Sequence, residues 1–194
     1  MSHFNLEHCL TAMWDDYLQL NPQAQEIYQL FAQQNSTLLN DHIALRTFDL
    51  PSVDINKLSQ PFIKAGYHSA GVYQFHVKKL FAQHFEHPDP QQPKIFISQL
   101  ITEELSEEAQ RIIQNCVEQI PENVLKSDQF SYSGRHWPIS HATYLRLLQE
   151  SEYAAWLYAF GFRPNHFTIL INSLSSHQNI EEVNKYLLNK GFEL

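Results

Sequence analysis

Cysteine is nearly absent from this chain. Cys9 and Cys116 are the two in 194 residues, and they lack the spacing of a zinc or redox motif. A reducing, cytoplasmic setting is the simplest expectation. Basic charge is also scarce: 13 Lys and Arg stand against 21 Asp and Glu, a net charge of -8, and the basic residues occur singly. An acidic surface repels phosphate backbones and anionic lipid, so neither nucleic acid nor membrane is an expected partner. No run approaches the roughly 18 apolar residues a bilayer span needs. The opening Met1-Ser2-His3-Phe4-Asn5 has no basic or apolar leader region, so no secretory signal is expected.

What is present suits a sizeable core. Apolar residues make up 43% of the chain and aromatics 13%, which excludes disorder as the default state. There are eleven histidines, and two sit in related stretches: Asp41 to Phe48 (DHIALRTF) and Asn165 to Asn172 (NHFTILIN). Each alternates like a strand and is followed by a helix-like run ending at glycine. In a strand, side chains alternate between faces, so His42, Ala44, Arg46 and Phe48 share one face. By the same rule His166, Thr168, Leu170 and Asn172 share a face of a strand over 166–172. If the two strands belong to one sheet system, two imidazoles meet.

The remaining pattern predicts mixed α+β structure in one domain. Helices are expected over 4–20 and from Asn21-Pro22 through Phe31, where the asparagine caps and the proline takes the first helical position. After the first histidine strand come a helix over 55–65 and strands over 72–77, 80–86 and 94–100. Pro61 conflicts with that helix, since a mid-helix proline costs about 3 kcal/mol, and predicts a kink or break. Further helices are expected over 105–120, 140–148, 152–160 and 179–189. The divisions are N-terminal helices over 1–40, a first β-α-β-β-β module over 41–101, linking helices and loop over 102–163, and the start of a second module over 164–194.

An internal repeat supports the two modules. Shifting by 125 positions pairs Ile55 with Ile180, Leu58 with Val183, Phe62 with Leu187, Ile63 with Leu188, Gly66 with Gly191 and Tyr67 with Phe192. One residue inserted between strand and helix also brings His42 onto His166. Paired β-α-β-β-β units are the pattern of the vicinal-oxygen-chelate, or glyoxalase-like, architecture. By that pattern the second module is truncated, with two strands still to come.

Longer motifs are more specific. NDHIALRTF at Asn40 to Phe48, IFISQL and LSEEAQ within Ile95 to Gln110, and SEYAAWLYAFGFRPNHFTILIN at Ser151 to Asn172 together resemble the 2-oxoadipate dioxygenase/decarboxylase family. The resemblance implies a non-haem Fe(II) held by two histidines and a glutamate, with an arginine four residues after the first histidine binding substrate. Here those positions are His42, His166 and Arg46. The glutamate has no match and is expected beyond Leu194, so the chain is expected to be a fragment of a longer protein, the alternative being an incomplete site. The implied reaction takes a 2-oxo dicarboxylic acid and O2 to 2-hydroxyglutarate and CO2.

The residue types agree with that chemistry without choosing it. Two histidines and a carboxylate leave three cis positions on Fe(II), but imidazole also suits zinc, copper and nickel. A glyoxalase-like lyase or hydrolase using Zn2+ or Ni2+ therefore remains open, as does a non-catalytic small-molecule-binding module. Arg46 lies about 13 Å along the strand from His42 at about 3.3 Å per residue, and its fork suits a carboxylate. His84 and His87, in HFEHPD, are expected to straddle a turn in solvent. His76 is a weaker candidate for lining the site, and Arg135-His136-Trp137 for a lid. The sequence does not fix the oligomeric state.

Overall fold

The computed structural model describes residues 4–193. Among these residues are a five-stranded mixed sheet and eight α-helices, the α+β class expected from the sequence. The strands are β1 (Asn40–Phe48), β2 (His68–Phe75), β3 (Leu80–Glu86), β4 (Lys94–Leu100) and β5 (Pro164–Ile169). In space they run β2-β3-β4-β1-β5. β1 pairs parallel with β4 and antiparallel with β5, so it sits inside the sheet between the two regions of chain.

Helices α1 (Leu6–Leu20) and α2 (Pro22–Ala32) precede the sheet, and α3 (Ile55–Lys64) connects β1 to β2. The back face of β1 and β4 presents Ile43, Leu45, Ile95 and Ile97, all buried. α3 packs on these two strands. Asp54 starts it by accepting from Lys57 N at 2.8 Å, satisfying a donor the helix leaves unpaired. Contrary to the expected break, α3 runs unbroken through Pro61. Pro61 is itself buried, alongside Leu58 and Phe62. Burial of one large apolar side chain contributes about 2 kcal/mol, so a few such residues offset the proline.

Five strand limits differ from expectation: β1, β2 and β5 begin earlier, at Asn40, His68 and Pro164, and two strands end earlier. β2 ends at Phe75, and Val77 falls in a single 3-10 turn, 98% exposed, before Lys79 at φ 55°. A side chain that buries nothing cannot hold the strand pattern there. β5 ends at Ile169, opposite Asn40, where β1 begins. Past that point Leu170 N finds only Leu39 O, and Ile171–Ser173 coils into a 3-10 turn. Leu170 and Asn172 therefore do not extend the β5 face.

The linking segment holds α4 (Glu107–Glu118), α5 (Glu122–Leu125), α6 (His141–Glu150) and α7 (Glu152–Phe160). α7 is tied to the far ends of β1 and β4 by one buried hydroxyl. Tyr153 Oη accepts from Thr47 N at 3.2 Å and donates to Ser98 O at 2.6 Å. After β5, α8 (Ile180–Asn189) repeats the local chemistry of α3. Asn179 accepts from Glu182 N at 2.9 Å, as Asp54 does from Lys57 N. Gly66 and Gly191, at φ 104° and 90°, close the two helices in the left-handed region. The same backbone bond follows each, Tyr67 N to Phe62 O and Phe192 N to Leu187 O.

Candidate metal centre

His42 and His166 come together because β1 and β5 are neighbours. Ala44 stands opposite His166, which places the His42 ring on its diagonal. Their Nε2 atoms are 3.2 Å apart and the rings are nearly perpendicular, at 80°. The other nitrogen of each ring is already engaged. His42 Nδ1 lies 2.7 Å from Asp41 Oδ2 and 3.0 Å from Thr168 Oγ1. Thr168 Oγ1 spends its proton on His42 O, so it accepts at Nδ1. His166 Nδ1 faces Asn165 Oδ1 at 3.0 Å. Acceptors at both Nδ1 atoms place the protons there and turn two bare Nε2 lone pairs toward one point. Burial, then the charges of His42 and Arg46, lower the pKa of His166 and favour its neutral form.

Arg46 lies on the same face of β1 but not in the histidine cavity. Its guanidinium carbon stands 4.7 Å from the centre of the Tyr153 ring and 4.8 Å from that of Trp156. Two aromatic faces hold the cation without neutralising it. It lines a neighbouring cavity of about 320 Å³ with Lys78, Lys79, Glu150 and Glu152. Burial lowers its pKa, partly offset by Tyr153 and Glu152.

The histidine cavity, also about 320 Å³, is lined by His42, Tyr73, His84, Lys94, Phe96 and His166. His84 is thus misplaced by the sequence reading. It lies inside β3 with its side chain 16% exposed, not in a solvated turn. The expected strand over 80–86 already contained His84, but its place beside the histidines comes from register: His84 pairs with Phe96, which pairs with Ala44 beside His42. His87 instead faces Ala65 O at the end of α3, 3.1 Å away. His76 is exposed in the turn after β2 and lines neither cavity. Arg135 binds the carbonyl of Trp137 at 3.0 Å, and the Trp137 ring is buried in the core, which is the arrangement of a loop with a packed tryptophan.

The model of the 2-oxoadipate dioxygenase/decarboxylase family matches residues 9–129, more than half of the chain and inclusive of His42 and Arg46. The chain belongs to that family. The Arabidopsis thaliana 2-oxoadipate dioxygenase/decarboxylase, chloroplastic, is 32% identical over 92% of this chain and 52% of its own length. The chain therefore spans about half the length of the curated relatives it matches. A crystal structure from Shewanella frigidimarina NCIMB 400, named as a hydrolase, is 46% identical with a TM-score of 0.95, over 99% of this chain and 75% of that one. The hydroxyglutarate synthase of Oryza sativa in complex with 2-oxoadipate is 31% identical with a TM-score of 0.85, over 96% of this chain and 64% of that one.

The two imidazoles have the spacing of a pair of metal ligands. With metal–nitrogen bonds of about 2.1 Å, cis or tetrahedral imidazoles bring their nitrogens about 3.0–3.4 Å apart, and the observed 3.2 Å lies in that interval. Without a cation, two lone pairs would face each other. A carboxylate and an amide oxygen behind the rings are the usual supports of ligating histidines. Among the described residues no three His, Cys, Asp or Glu side chains are grouped to hold a metal ion.

Proposed function

We propose that this chain carries the two-histidine part of an Fe(II)-dependent dioxygenase/decarboxylase site. The substrate is a 2-oxo dicarboxylic acid of the 2-oxoadipate type, and the products are the 2-hydroxy acid one carbon shorter and CO2. The observation that supports the reading most is the pair of bare Nε2 atoms 3.2 Å apart, each imidazole oriented from behind. Family membership supplies the reaction class.

Fe(II), when bound, supplies chelation of the 2-oxo acid and activation of O2. His42 and His166 would hold it, and the family resemblance calls for a carboxylate as the third ligand. Both histidines are neutral ligands, so the carboxylate sets the charge of the centre. Arg46, fixed between Tyr153 and Trp156, receives the distal carboxylate of the substrate. Its aromatic clamp limits the side-chain entropy lost on binding. The atoms balance: a six-carbon 2-oxo diacid and O2 give a five-carbon 2-hydroxy diacid and CO2. One oxygen atom enters the new carboxylate and the other the hydroxyl.

Anaerobic titration of the chain with Fe(II) tests the ligand set. One equivalent binds, and His42→Ala or His166→Ala abolishes that binding while leaving the fold intact by circular dichroism. Undiminished binding in both variants overturns the assignment. The reaction is tested in full-length protein, where 2-oxoadipate drives O2 uptake. One equivalent of tightly held zinc or nickel with no O2 uptake favours the lyase or hydrolase reading instead.

A further inference from the structure

The wall of the histidine cavity opposite β5 holds a hydrogen-bonded chain that the metal centre does not use. Tyr73 Oη lies 2.9 Å from His84 Nδ1, and His84 Nε2 lies 3.3 Å from Glu86 Oε1. Lys94 Nζ lies 3.4 Å from the same Glu86 oxygen. The hydrogen bond from Lys94, then that from His84, holds the Glu86 carboxyl below the usual carboxylate range, so it is an acceptor only. Both nitrogens of His84 are occupied, which removes this third imidazole from the metal ligands.

Gly71 shows that the pair is built in. It lies inside β2, at the register shift between Ser69 and Gly71, and is not among the positive-φ glycines. A glycine in a strand interior weakens the strand. A Cβ added there would stand 2.7 Å from His84 Cε1, 2.8 Å from His84 Nδ1 and 3.0 Å from Tyr73 Oη. The missing side chain is the space that the Tyr73–His84 contact fills.

The donor and acceptor roles follow from one end. Glu86 accepts, so His84 in its neutral form carries its proton on Nε2 and leaves Nδ1 bare. Tyr73 then donates its only proton to Nδ1. Its remaining lone pairs are offered to the cavity, which makes the phenol oxygen an acceptor. A 2-oxo dicarboxylate has only acceptors to present, whereas a 2-hydroxy acid has a hydroxyl proton. We propose that Tyr73 is a ligand-contacting residue of the histidine cavity that selects for the hydroxyl of a 2-hydroxy acid, with His84 and Glu86 as its positioning residues. The inference rests on the reading above, in which such an acid is the product. The device would grip the new hydroxyl as it forms and raise affinity for product over an otherwise similar diacid.

Calorimetric titration of the full-length protein holding one equivalent of Fe(II), under nitrogen, with 2-hydroxyglutarate and with glutarate gives the selectivity ratio. In wild type the hydroxy acid binds more tightly. Tyr73→Phe lowers the ratio about fivefold, the worth of one neutral hydrogen bond, while glutarate affinity holds. His84→Phe lowers it similarly although the tyrosine remains, because the Tyr73 proton is then free to point either way. Nitrogen-15 shifts of His84 in wild type report Nδ1 bare and Nε2 protonated. An unchanged ratio in Tyr73→Phe, or equal weakening of both acids, overturns the inference alone. Wild-type full-length protein that binds Fe(II) but neither acid overturns the substrate reading and this inference together.

Discussion

The strand-helix units β1–α3 and β5–α8 share a sequence pattern, caps and a closing glycine, yet they are buried differently. Ile55 is 2% exposed and its counterpart Ile180 is 49% exposed. Leu58 and Phe62 join the main core, whereas Val183 and Leu187 form a small separate cluster with Phe31. The cause is what lies beneath each helix. α3 rests on β1 with β4 beside it, while β5 is an edge strand with one neighbour. A repeated helix thus gives one core and one satellite, because burial depends on the width of the sheet it meets. The histidines show a parallel contrast: a carboxylate supports His42 and an amide supports His166.

The largest expected effect breaks the packing contrast. Phe62→Ala should cost about 3–5 kcal/mol of unfolding free energy, while Leu187→Ala should cost about 2 kcal/mol, the low end for a core leucine. Urea unfolding measures both; equal losses would mean that the two helices are equally integrated. The next effect concerns the ligand supports. Asp41→Asn should weaken Fe(II) binding about tenfold, as removal of a carboxylate behind a ligating histidine does. Asn165→Asp should leave it equal or tighter. A competition titration that found Asp41→Asn harmless would show that Thr168 suffices to hold the ring.

How much of this was legible in the sequence depends on the range of the forces involved. β3, β4 and α7 follow the expected limits because alternation and caps are local, as with Ser151 before Glu152–Phe160. The 125-residue offset located the closing glycines of both helices for the same reason. What sequence could not supply was pairing. The end of β5 depends on where β1 starts, and the placement of His84 depends on its register with Phe96. Arg46 shows the same limit: its position on the histidine face was readable, but its clamp by Tyr153 and Trp156 comes from a helix more than 100 residues later.

The smallest effect separates the two imidazoles by pH. His166 has a lowered pKa in the folded chain, first from burial and then from the charges of His42 and Arg46. The unfolded chain takes up that proton at the ordinary histidine value of about 6.5, so it binds more protons than the native state just below that pH. Stability contributed by neutral His166 is therefore present above about pH 6.5 and lost as pH falls through the lower native value. In the metal-free chain, His166→Gln should flatten the fall in stability below about pH 6.5 relative to wild type. Unfolding midpoints across pH 5 to 8 measure the difference. A slope unchanged by His166→Gln would mean that the loss in acid arises elsewhere, with His136, whose pKa burial also lowers, as the next group to replace.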